Sequence, residues 1–285
     1  MKLITILDRL AAAPAEPGHA PRRALLQQLG RAAVAAVPLA LGTALPVAAA
    51  TNANTFDAVQ QLLLLERLQA AFYTQALAAL GLIPSTQTAD FQRMLGHQTQ
   101  HAALLLLAVQ NAGAQVPPLP AFDFSGRRGV ATNPVLFPNV LSNYDDFLAL
   151  AQQLEDLGVR LYNTHALAIT DDGALSRAVL RMLPVEGEHS AHVRGLRRSR
   201  GVAVKPWPSA TDAAISRPPA AQALTTAATG GEDNLVQYRS SGVKVPFSDL
   251  LTVFKLTFVR DASIAEAFDE PLSNATAQAA LDLFS

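Results

Sequence analysis

The sequence predicts an all-α protein: a four-helix bundle with a long crossover between its second and third helices and a helical C-terminal extension. Three observations lead there. Half of the 285 residues are hydrophobic, Ala and Leu dominate, and only 16% are charged, a helical rather than β-rich balance. Apolar residues recur at helical spacing in four stretches of about 25 residues, each long enough for about 38 Å of helix. The polar residues of the first two stretches are also repeated in the last two. Glu66 and Tyr73, then Gln98 and His101, are answered by Glu155 and Tyr162, then Glu186 and His189.

The first helix is expected over Thr55 to Leu80, with Leu62, Leu65, Glu66, Gln69, Tyr73 and Ala76 on one stripe and Gly81 and Pro84-Ser85-Thr86 ending it. The second covers Thr88 to Ala112, with Phe91, Met94, Leu95, Gln98, His101, Leu105 and Ala108 along one side. From Ala114 to Leu141 the chain carries Pro117, Pro118, Pro120, Pro134 and Pro138. So long a connection without periodicity suits a crossover to the opposite end of a bundle.

Ser142 or Asn143 is expected to cap the third helix, with Asp145 in a partial capping box after Ser142. That helix reaches Ile169, with Phe147, Leu148, Ala151, Glu155, Val159 and Tyr162 on one face. Asp171-Asp172-Gly173 turn the chain into the fourth helix, Ala174 to Arg200. Pro184 inside it either aims Glu186 through a bend or makes an ordinary kink. Arg194, Arg197, Arg198 and Arg200 read as cations suited to a helix C-terminus.

Residues 51–201 thus form the bundle and 202–285 the extension, irregular around Pro206, Trp207, Pro208, Pro218 and Pro219. A fifth helix from Pro246, carrying Leu250 to Val259, and a last one from Ser273 to Phe284 are expected to complete a tail packed on the bundle.

Residues 1–50 read as a targeting segment. Arg22-Arg23 precede a largely apolar stretch from Leu25 to Pro46 and the small residues Ala48-Ala49-Ala50, the layout of a twin-arginine export signal. Cleavage near Ala50 would place the mature chain in the periplasm or cell envelope without stable membrane insertion. The alternative is an uncleaved anchor over Arg31 to Ala50, which its Ala-rich, Pro- and Gly-interrupted character disfavours.

Several function classes are excluded or disfavoured. A net charge of −1 argues against nucleic acid as a partner. With no cysteine, thiolate nucleophiles, Cys-ligated zinc and iron–sulfur clusters are ruled out. No G-x-S-x-G motif supports a hydrolase. The Ala/Leu-rich helices allow a homo-oligomer but mark no interface.

The repeated residues carry the chemistry. Offsets of seven and three keep partners on one helix face, so Glu66 points with Tyr73, Glu155 with Tyr162, and Glu186 with His189. Dinuclear carboxylate sites in bundles take one Glu from each of two helices and a Glu-x-x-His pair from each of the other two. Carboxylates neutralise and bridge divalent cations, imidazoles cap the open ends, and open positions admit O2, peroxide or water. Glu66, Gln98, His101, Glu155, Glu186 and His189 are therefore the candidate ligands for iron or manganese. Tyr73, His97, Tyr162 and His192 are candidates for the surrounding shell.

Gln98 stands where a fourth carboxylate would be, and a neutral amide is a poor bridging ligand. Three readings follow: a dinuclear site tolerating Gln98, a mononuclear site on Glu155, Glu186 and His189, or a metal-free relic with an internal hydrogen-bond network. Tyr73 and Tyr162 read either as redox-active or donor neighbours of the site or as core residues with satisfied hydroxyls.

The chain resembles bacterial ferritin-like domain proteins, in the group that includes plant desiccation-related proteins, over roughly residues 55–200. The resemblance is carried by Leu154-Glu155-Asp156-Leu157-Gly158-Val159-Arg160-Leu161-Tyr162 and by Val185-Glu186-Gly187-Glu188-His189-Ser190-Ala191-His192-Val193-Arg194. Glu266-Ala267-Phe268-Asp269-Glu270-Pro271-Leu272 adds to it in the tail. The family pattern in the second helix is similar to His-Glu-x-x-His, and here reads His97-Gln98-Thr99-Gln100-His101. The resemblance implies a ferritin-like fold with a di-iron or manganese centre, but no iron-storage shell. A role in envelope stress defence is the leading expectation, and a non-catalytic stress-protective protein the alternative.

Overall fold

Helices form where the apolar pattern is periodic. In a computed structural model that describes residues 53–166, 168–169, 172–232, 265–267 and 269–285, the long helices are α1 (Ala53–Ala78), α2 (Thr88–Asn111), α3 (Tyr144–Ala166) and α4 (Gly173–Ser199). No strand occurs among the described residues. The expected signal segment 1–50 and the Leu250–Val259 helix lie outside the described residues, as does Asp171. Among the described residues no helix is long and apolar enough to cross a membrane.

Helix starts follow the sequence chemistry with one correction. Asn143 rather than Ser142 caps α3, its Oδ1 accepting from the backbone N–H of Asp145 at 2.9 Å and of Asp146 at 3.1 Å. Asp145 forms no capping box, because its carboxylate is taken by Arg200 at the end of α4. Asp172 caps α4 by accepting from Ala174 and Leu175, both at 2.9 Å. The helix then runs unbroken past Pro184, which sits on its exposed side.

The four helices make a bundle in which α1 packs chiefly on α2 and α3 on α4, while α1 also lies against α3. The crossover between α2 and α3 is tied down by buried Phe124, Leu136, Phe137 and Val140. Its Asp123 N–H donates to the Phe284 carbonyl at 2.8 Å, and the Phe137 and Phe284 rings stack 4.9 Å apart. One end of the chain therefore fastens the middle.

α3 is the most enclosed helix, buried without interruption from Leu150 to Tyr162. Its outer face is polar, carrying Gln152, Gln153, Asp156 and Arg160, so burying it requires partners. The extension provides them. Within the stretch expected to be irregular, a short 3₁₀ turn (Pro219–Ala221) leads into α5 (Gln222–Thr229), which packs on α3. Arg160 donates to the carbonyls of Thr226, Ala227 and Glu270 at 3.1, 2.8 and 3.0 Å. Gln153 donates to Thr225 at 3.2 Å and accepts from Arg217 at 2.8 Å. α6 (Asn274–Leu281), capped by Ser273, covers α5 in turn.

Arg197 and Arg198 do lie in the last turn of α4, as expected of cations at a helix end, but Arg194 and Arg197 are also buried. Arg194 is wholly buried and grips Asp156 through Nε at 2.9 Å and Nη2 at 2.6 Å. Its Nη1 reaches Asp212 at 2.5 Å and the Trp207 carbonyl at 3.1 Å. Ser190 adds a 2.6 Å bond to Asp156, and Arg197 holds Gln152. This bidentate pair locks α3, α4 and the 205–212 loop together. Removing one partner strands the other charge in a dry interior, at a cost of about 3–5 kcal/mol. Arg194→Ala is expected to lose stability on that scale in urea unfolding followed by circular dichroism, whereas exposed Arg198→Ala should change it by under about 0.5 kcal/mol.

Candidate metal centre

Each long helix sends polar side chains to one level of the bundle: Glu66, Gln69 and Tyr73 from α1, His97, Gln98 and His101 from α2, Glu155 and Tyr162 from α3, and Glu186 and His189 from α4. Glu66, Glu155, Glu186, Gln69 and Gln98 are fully buried. Three carboxylates with no solvent need compensation at atomic range.

The tyrosines supply part of it. Tyr73 on α1 donates to Glu155 on α3, and Tyr162 on α3 donates to Glu66 on α1. Both pairs belong to one antiparallel register of α1 against α3, which is why the seven-residue offset appears in each helix. Burial and the facing carboxylates push both phenols well above their usual range, so they stay donors. Their rings remain in the core, Tyr73 lying 5.8 Å from Phe91 and 6.4 Å from Phe147.

The imidazoles supply a second part. His101 Nδ1 lies 3.2 Å from Glu66 Oε1 and 3.3 Å from Glu186 Oε1. His189 Nδ1 lies 3.4 Å from Glu155 Oε2 and 3.9 Å from Glu186 Oε1. Glu66, His101 and Glu186 thus converge as one ligand triad, and Glu155, Glu186 and His189 as a second. Glu186 is common to both.

Gln98 sits among the acids. In one amide orientation its N–H group faces Glu155 Oε2 at 3.5 Å and Glu186 Oε2 at 3.4 Å. In the other it donates to Glu66 Oε2 at 3.1 Å and Glu186 Oε1 at 3.3 Å. Either way it serves carboxylates as a donor and completes neither triad. His97 bonds His189 at 2.9 Å, on the side of the ring away from the acids. His192 joins neither triad: it lies edge-on to Phe91 with Nε2 3.9 Å from Asp90 Oδ2.

Two further residues shape the pocket without standing out in the sequence. Gln69 Nε2 donates to the Leu154 carbonyl at 3.1 Å and to Glu186 Oε2 at 3.4 Å. A buried amide three residues after Glu66 on an apolar stripe was the available signal. Gly158 makes room for Glu186, since a Cβ there would lie 2.7 Å from Oε2. A glycine inside a helix costs about 1 kcal/mol against alanine, and its reason here is spatial.

The electrostatics suit a cation. Burial, with the charge of Glu186, raises Glu66 to about 8. Burial also raises Glu155, against the pull of His189. Burial would raise Glu186 as well, but His101, His189 and Gln98 together hold it below the usual carboxylate range. For His101, burial is outweighed by hydrogen bonds to Glu186 and Glu66, and the ring rises to about 10. Protons therefore occupy places a cation would take.

The donor atoms also fit one. Metal–ligand bonds of about 2.0–2.2 Å put neighbouring donors about 2.8–3.6 Å apart in octahedral or tetrahedral sites. Of the imidazole–carboxylate spacings, 3.2, 3.3 and 3.4 Å lie in that range and 3.9 Å exceeds it, and the donor atoms of each triad all lie within 4.8 Å of one another. His189 Nδ1 is moreover a buried nitrogen with no hydrogen-bond partner.

The sequence profile of the ferritin-like domain matches residues 54–199, which is α1 through α4. The chain belongs to the ferritin-like domain family. No curated protein matches the chain. The match does not reach the narrower desiccation-related group. In this ferritin-like domain the Glu and Tyr residues of α1 and α3 hold each other, while α2 and α4 bring the histidines. Gly158→Ala is expected to displace the Glu186 carboxylate and weaken Co2+ binding by about tenfold or more. Helicity should be kept, and titration followed by visible absorption, beside circular dichroism, checks both.

Proposed function

We propose that this ferritin-like protein is exported and holds iron or manganese on its Glu/His site, reacting with O2 or peroxide in defence of the cell envelope. The observation that supports this most is the pair of triads sharing Glu186, each with two carboxylates and an imidazole. The residues that would hold the cation are Glu66, His101, Glu155, Glu186 and His189. A bound iron or manganese ion would supply Lewis acidity and an electron-transfer centre at this level of the bundle.

The chain's own residues do the rest. Tyr73 and Tyr162 keep Glu155 and Glu66 turned toward the centre, and Gln69 and Gln98 steady Glu186. The apolar layers of Leu62, Leu65, Phe91 and Leu154 exclude water around it. His101 is the more open imidazole, its side chain 12% exposed against 5% for His189. A small oxidant reaches the site most directly on that side. Export rests on the Arg22-Arg23 segment and its Ala48-Ala49-Ala50 end.

One observation favours a second reading, a non-catalytic stress-protective protein with a degenerate site. Gln98 is fully buried and bonded into the carboxylates, as in a settled polar network.

Elemental analysis of the mature protein, purified after growth with iron and manganese, separates the two. At least one ion per chain is expected, lost in Glu155→Ala, and Gln98→Glu should raise the content toward two by restoring a fourth acid. No metal even after anaerobic iron loading would sink the metal reading and leave the protective one.

Cation binding must also release protons, because Glu66 stands at about 8 and His101 at about 10 in the metal-free pocket. Both groups hold protons at low pH and shed them as pH rises. Affinity measured calorimetrically between pH 6 and pH 9 is therefore expected to climb with pH, with net proton release on binding.

A further inference from the structure

The seam between α2 and α4 is unlike the other long interfaces of the bundle. α1 packs along α2 and α3 along α4, whereas α2 and α4 approach each other at few points. What crosses this seam is polar. In antiparallel order Asp90 faces His192, His97 meets His189, and His101 meets Glu186. An imidazole stands at every step, and the second and third steps lead into the two triads.

The first step is at the surface. The side chains of His192 and Asp90 are 32% and 38% exposed, whereas His189 is almost enclosed and Glu186 wholly so. His192 follows His189 by about one turn of α4, about 5 Å along the axis. Its Nε2 lies 3.9 Å from Asp90 Oδ2, too far for a hydrogen bond, so neither atom is spent on the other. Arg93 takes the other oxygen of Asp90 at 3.2 Å. Half-buried His97 then stacks on His189, the ring centroids 5.2 Å apart.

Elsewhere the centre is closed by the apolar layers of Leu62, Leu65, Phe91 and Leu154. A divalent cation shedding its water there would find no replacement ligand. Oxygen or imidazole is needed at each step, and the seam presents both.

We propose that the α2–α4 seam is the entry path for the divalent cation, with Asp90 and His192 as its mouth and His97 as the step before His189. The proposal rests on the metal reading above and adds a route to it. One carboxylate and one imidazole at the surface attract a cation but hold it more weakly than either enclosed triad. Residues that only conduct lower the barrier in both directions. Removing them therefore slows entry and release alike and leaves affinity in place.

The test follows Co2+ entering the full chain by stopped-flow absorption and leaving it to a chelator, with circular dichroism to check folding. Asp90→Asn and His192→Leu should each slow entry and release by about 3–10-fold, with Kd within about twofold of wild type. His192→Gln, which returns an oxygen ligand, should recover most of the rate. Arg93→Gln removes an opposing charge at the mouth and should speed entry by about 2–3-fold. Glu188→Gln, an exposed acid beside His189 in sequence, should change neither rate.

Wild-type rates in both Asp90→Asn and His192→Leu would overturn the path while leaving the metal reading intact. So would affinity that falls in step with entry, since the residues would then hold the bound ion. Equal slowing in Glu188→Gln would also overturn it, by assigning the effect to general surface charge. If the wild-type chain takes up no Co2+, the metal reading itself fails and the path falls with it.

Discussion

Three carboxylates buried at one level of the bundle are the constraint on which the rest depends. Glu66, Glu155 and Glu186 have no access to water, and such groups survive only if protons, hydrogen-bond donors or cations answer them. Every polar residue around them can be read as such an answer. Two phenols, two amides and two imidazoles converge on the three carboxylates, and a helical glycine leaves the space that one of those carboxylates fills. The antiparallel register of α1 and α3 follows from the same demand, since each tyrosine must find the glutamate of the other helix.

A second set of buried charges stands back to back with the first on α3. Glu155 and Tyr162 face inward, while Asp156 and Arg160 face outward and are equally hidden from solvent. The outward pair explains the C-terminal extension physically. Arg194 neutralises Asp156, and the carbonyls of Thr226, Ala227 and Glu270 take up Arg160. α5 and α6 therefore close the bundle on the side where α3 would otherwise expose a groove of costly polar groups. Both faces of α3 are thereby occupied, one by the centre and the other by the extension.

Gln98 gives the centre its particular character. A fourth acid would leave two divalent cations with matched charge, whereas an amide leaves one positive unit over in a medium of low dielectric. The same amide lowers the cost of the three acids in the absence of a cation by donating to them. The pocket is thus built to be stable without metal to a degree that a four-carboxylate pocket is not, and it is asymmetric. His101 sits between Glu66 and Glu186, whereas His189 faces Glu155 and meets His97 on its other side.

Local pattern determined a great deal. The four long helices, the crossover and the converging Glu, Gln and His positions were legible because helical periodicity puts residues three, four and seven apart on one face. The roles of Asp156, Arg160, Arg194 and Gly158 were not, because their partners lie on other elements and no spacing within one helix encodes them. Arg194 read as a helix end from its neighbours in sequence, and only the meeting of α3 with α4 made it a buried ion pair. Spacing likewise could not choose between His97 and His192, each a turn or less from a ligand. The packing of α2 against α4 brings His97 onto His189 and leaves His192 beside Asp90, since the rotation of one helix against another is decided by every side chain in the interface at once.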